Sequence, residues 1–129
     1  MKHYNLESKQ TEILNRNEAF YAFSQKQFDE QAKQDTEYVQ VGHGCVCPKD
    51  NCKNLIDELK NSYDEKIKWE LENNTKKDII WYELANHECQ ITGSFESIVD
   101  LMSCYGITVS EIAEEFRPYY DHCVENDYF

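Results

Sequence analysis

Between Asn51 and Asn73 the apolar residues Leu55, Ile56, Leu59, Tyr63 and Ile67 fall at helical spacing, with Trp69 and Leu71 near the end and no glycine or proline among them. Such a run commits a chain to one long amphipathic helix, because 3.6 residues per turn gather those side chains on a face that something else must cover. The remaining sequence has to supply that cover.

Two segments read as strands. Phe20, Tyr21 and Phe23 form a short aromatic strand, and Ser24 followed by Gln27 gives the S-x-x-Q signature that starts a helix through about Lys33. In EYVQVGHGCVC, Tyr38, Val39, Val41 and Val46 alternate with polar or small residues until Pro48. Gly42 and Gly44 allow a sharp turn there, so this segment predicts a hairpin or a bent edge strand. Helix signals dominate elsewhere. Residues 6–18 are polar and helix-favouring. Thr75 with Asp78 starts a helix carrying Ile79, Ile80, Trp81, Leu84 and Ala85, and Ser94 caps one through Ile98, Leu101 and Met102. Thr108 with Glu111 forms a capping box before Ile112, Ala113 and Phe116. The fold class that follows is α+β: a mostly helical single domain with a small, two- to three-stranded antiparallel sheet packed against helices. Its segments are an N-terminal helix (1–18), a strand-helix-strand unit (19–48), the long helix (51–73) and an acidic helical region (76–129). A length of 129 residues suits one domain.

Charge is distributed unevenly. Residues 1–77 hold 14 Asp and Glu against 12 Lys and Arg, whereas residues 78–129 hold 11 Asp and Glu against Arg117 alone. The second segment therefore carries about −10 of the formal −12. A surface of that sign repels nucleic acid and anionic headgroups and attracts basic partners, including the Lys/Arg-lined grooves of nucleic-acid enzymes. The helix pair around Cys104-Tyr105-Gly106-Ile107 has the outline of a helix-turn-helix, but its second helix would present Ser110, Glu111, Glu114 and Glu115 to phosphates, which excludes groove reading. The expected interface residues are Glu96, Asp100, Glu111, Glu114, Glu115, Asp121, Glu125 and Asp127, beside the aromatic residues of RPYYDHCVENDYF. No apolar run reaches the ~18 residues of a membrane span, and MKHYNLESKQ lacks the apolar core of a secretion signal. The expectation is a protein of the host cytoplasm.

Six cysteines in such a setting read as thiols or metal ligands. His43, Cys45, Cys47 and Cys52 could hold zinc, so a zinc-stabilised interaction module is one alternative. Paired C-x2-4-C units are missing, and the leading expectation carries no cofactor. A second alternative is a small His/Cys enzyme. Glu83 and His87 share a helix face in WYELANHEC, with Cys89 or Cys45 as conceivable nucleophiles, although Ile91 stands where H-E-x-x-H would need its second histidine. No glycine-rich phosphate loop is present. The leading expectation is a non-catalytic protein, with Glu83 and His87 joined by a structural hydrogen bond.

The blocks AFYAFSQKQF, YVQVGHGCVCPK and YELANHECQITGSFESIVDLM, through Phe23, Ser24, Gln27, Phe28, Gly42, Gly44, Pro48, Lys49, Glu83, Leu84, Asn86, His87, Glu88 and Gly93, resemble a family of small proteins carried by phages and mobile elements. That family in turn resembles inhibitors of type II-A CRISPR nucleases. The resemblance spans roughly residues 19–116. It implies an accessory, anti-defence setting, with a CRISPR effector nuclease as one basic-surfaced host partner. The pattern places small or aromatic residues where Cys45 and Cys47 stand, which weighs against zinc.

Overall fold

The computed structural model describes residues 1–129. Its elements, in order, are α1 (Leu6–Arg16), β1 (Phe20–Tyr21), α2 (Gln25–Gln31), β2 (Tyr38–Gly42), β3 (Cys45–Pro48), α3 (Cys52–Asn73), α4 (Lys76–Asn86), α5 (Cys89–Thr92), α6 (Val99–Cys104) and α7 (Val109–Asn126). Single 3-10 turns at Lys49–Asn51 and Glu96–Ile98 lead into α3 and α6. The fold is α+β, mostly helical, with a three-stranded antiparallel sheet in the order β1-β3-β2. Gly42, His43 and Gly44 all take positive φ and close the β2-β3 hairpin, with a bulge between Gln40 and Gly42. A side chain at Gly44 would also run into the Phe23 ring.

Buried side chains fall into two clusters, and the chain divides into two compact units. Residues 5–66 form one. Its core joins Ile13 and Ala19 to Cys45 and Cys47 of the central strand and to Leu55 of α3, with Leu14, Val41 and Leu59 packed on it, so the sheet meets α3 as expected. Buried Asn17 ties α1 to α3: its Nδ2 donates to the Ile13 carbonyl at 2.9 Å and its Oδ1 accepts from Asn54 at 2.8 Å. Glu58 accepts from Asn17 and from Arg16.

The second unit comprises residues 1–4 and 67–129. Ile79, Ile80, Leu84, Ile98, Met102, Ile107 and Ile112 form its core, with Tyr119 and Cys123, and Ile67 and Leu71 from the end of α3 pack against it. The N-terminal segment is fastened here by reciprocal bonds between the Lys2 backbone and the Asn74 side chain. Buried Glu70 accepts a hydrogen bond from the equally buried Tyr105 hydroxyl at 2.9 Å.

Several assignments along the chain change: Ser94 caps no helix, since Ile98 is the N-cap of α6 and makes no side-chain cap bond. On α3, Ile56 and Tyr63 are exposed, while Ser62 and Glu70 are buried in their place. Helix α7 continues beyond Phe116, the last residue the sequence placed on it, through Pro118 to Asn126. Pro118 and Glu114, whose carbonyl loses its usual helix bond to residue 118, are both exposed.

Candidate functional site

Helix α7 gathers most of the predicted interface residues. Thr108 caps it in a complete capping box: its Oγ1 accepts from the Glu111 backbone at 3.2 Å, and Glu111 Oε2 accepts from the Thr108 backbone at 2.8 Å. At 100° per residue, Ile112, Phe116, Tyr119 and Cys123 make one face, which packs into or against the core. Glu111, Glu114, Asp121 and Glu125 then fall on the opposite, solvent-facing side, flanked by Glu115 and His122.

These carboxylates are not equivalent. Glu111 is held in the capping box and pairs with Lys76 Nζ at 2.9 Å; the Thr108 backbone amide, then Lys76, keep its carboxyl below the usual range. Glu115 accepts the indole N–H of Trp81 at 2.8 Å. Both are parts of the fold. Asp121 makes an exposed i, i+4 pair with Arg117 at 3.1 Å, a contact worth little in water. Glu114 and Glu125 are exposed. Asp127 terminates α7 in the left-handed conformation, Glu96 opens the 3-10 turn, and Asp100 lies in the first turn of α6. The exposed stripe is thus Glu114, Asp121 and Glu125, next to the half-exposed Val124, Tyr128 and Phe129.

The residues of the zinc alternative do not converge on a metal site: no group of three or more His, Cys, Asp or Glu is placed to hold an ion. His43 occupies the hairpin turn, and Cys47 is fully buried with its thiol donating to the Asn17 carbonyl at 3.7 Å. Burial, then nearby Cys52, pushes the Cys45 and Cys47 thiols up, away from the thiolate that metal binding requires. All six cysteines are free.

His87 Nε2 approaches Glu83 Oε2 at 3.4 Å, but buried Glu83 Oε2 makes no hydrogen bond, so the expected structural bond is only a close approach. His87 borders none of the principal cavities, and Cys89 is fully buried against Ser97. A nucleophile-base pair is not assembled there.

One feature of this unit escapes sequence reading. An open cavity of about 500 Å³ is walled by Trp81 and Tyr82 of α4, Tyr119 and His122 of α7, and Tyr128. Its walls are fixed by polar contacts: the Tyr119 hydroxyl donates to Gln90 Oε1 at 2.7 Å, and Gln90 Nε2 donates to the Tyr128 carbonyl at 2.9 Å. Trp81 meets Tyr119 edge to face at 5.6 Å. Burial drives the Tyr119 phenol far above its ordinary range, so it stays a neutral donor. The only sequence trace is that Trp81, Tyr82, Tyr119 and Tyr128 all lie in its acidic part.

Residues 2–122 match a family of unknown function, DUF7659. The chain belongs to that family. No curated protein and no solved structure matches it, and the family assignment carries no link to CRISPR-nuclease inhibitors. For this DUF7659 member, no helix is long and apolar enough to cross a membrane.

Proposed function

We propose that the chain is a non-catalytic accessory protein, of anti-defence type, that docks in the basic nucleic-acid groove of a host effector through the solvent face of α7. The observation that carries this reading is the stripe of Glu114, Asp121 and Glu125 on one side of an 18-residue helix, in a segment whose only basic residue is Arg117. A rigid helix presents carboxylates at fixed intervals, so a groove that binds spaced phosphates meets complementary charge without ordering a loop first. Exposed Val124, Tyr128 and Phe129 add apolar contact at one end.

The test is guided DNA cleavage by type II-A CRISPR nucleases, with gel filtration for a complex. The parent protein should inhibit and co-elute. The triple variant Glu114→Lys/Asp121→Lys/Glu125→Lys changes the net charge by six, from −12 to −6, while sparing Glu111 and Glu115, and should do neither. Inhibition unchanged in the triple variant would refute the α7 interface. A parent protein that neither binds nor inhibits would remove these nucleases as the partner.

A further inference from the structure

The aromatic cavity beside the acidic stripe has the composition of a cation site. Its walls are aromatic faces and edges, and the Trp81 indole is oriented by donating its N–H to the Glu115 carboxylate, a contact that also enriches the ring in electron density. Asp78 and Met1 also line the cavity. A positive group is already found there: Lys77 Nζ stands 5.1 Å from the Trp81 ring centroid. Lys77 lies in the first turn of α4, where the helix dipole disfavours a cation, so the dipole does not account for its position. Its amino group, one turn before Trp81 on the same helix, lies over the ring and competes for it.

Resting on the docking reading above, we propose that this cavity receives a cationic side chain of the partner, foremost an arginine, laid against Trp81 and met by Asp78. Planar guanidinium stacks on an indole more effectively than a hydrated ammonium does, and the basic residues lining a nucleic-acid groove supply it. His122 lines the cavity and stands three residues before Glu125 on α7, a spacing that makes the two helix-surface neighbours and brings the stripe near the cavity. The cavity would supply the anchoring contact, and the stripe the long-range attraction.

The test needs no partner, so its outcome is independent of whether any nuclease binds. N-acetyl-arginine methylamide is titrated into the full chain while the Trp81 indole N–H resonance is followed, with Trp81→Phe distinguishing it from the other tryptophan. The uncharged, isosteric N-acetyl-citrulline methylamide is the comparator, and adenosine monophosphate tests the opposite charge preference. The arginine probe should move the Trp81 resonance saturably and bind at least about fivefold more tightly than the citrulline probe. Lys77→Ala should tighten it about threefold by removing a like charge, and Asp78→Asn should weaken it about threefold. Equal affinity for the charged and uncharged probes would overturn the proposal. So would an adenosine monophosphate response lost in Lys77→Ala, which would make this an anion site. No movement of Trp81 with the arginine probe would show that the cavity binds no such group.

Discussion

Replacing Tyr105 with phenylalanine removes a buried polar contact of the second unit. Tyr105 is 5 % exposed and Glu70 1 %, and the phenol donates to Glu70 Oε2 at 2.9 Å. Tyr105→Phe keeps the ring and removes one donor from a buried carboxyl group that water cannot reach. Losing a buried hydrogen bond of this kind costs about 1–3 kcal/mol. A loss of about 2 kcal/mol corresponds, for a chain of this size, to a fall in Tm of roughly 8 °C. Urea unfolding followed by circular dichroism should show a lower midpoint with an unchanged slope, since the buried surface is nearly the same. The same substitution in a Glu70→Gln background removes a neutral hydrogen bond and should cost about 1 kcal/mol. A Tyr105→Phe midpoint within about 0.5 kcal/mol of the parent would refute the reasoning. Equal costs in both backgrounds would show that the carboxylate contributes nothing beyond an acceptor.

Two further outcomes concern helix α7 and the pH response. Thr108→Ala removes one half of the capping box and should cost about 1 kcal/mol, with faster amide exchange confined to the first turn of α7; unchanged protection there would mean that the cap does not hold the turn. Hydrogen bonds from Arg16 and Asn17 hold the Glu58 carboxyl below its ordinary value near 4.5, so below that pH the unfolded chain takes up a proton that the folded unit does not. Stability from this contact is complete above about pH 4.5 and is lost as pH falls through the lowered value. Glu111 adds a change of the same sign. Glu58→Gln should flatten the acid limb of a stability-against-pH curve, and an unaltered limb would contradict the assignment.

Signals confined to one turn were legible in the sequence. Ser24 accepts from the Gln27 backbone, Thr75 from Asp78 and Thr108 from Glu111, each at the residue where the pattern placed a cap. The Gly42-His43-Gly44 turn and the long helix were legible for the same reason: the partners lie within a few residues, so their geometry follows from local sequence alone. The acidic bias of residues 78–129 is also a property of the sequence, independent of folding.

Burial and pairing between distant residues were decided only by tertiary packing. Ile56 and Tyr63 have the spacing of a core face and are exposed, whereas polar Ser62 and Glu70 are buried, because what covers a helix is set by the elements brought against it. The sequence placed α7 only as far as Phe116, yet the helix runs through exposed Pro118 to Asn126. Glu111 and Glu115 read as free surface charge until Lys76 and Trp81, 35 and 34 residues away, are found bonded to them. The aromatic cavity needs α4, α7 and Tyr128 to converge, and nothing periodic in the chain announces it. Composition and local hydrogen bonding thus determined which elements form and what charge they carry, while long-range packing determined which of those charges remain free to meet a partner.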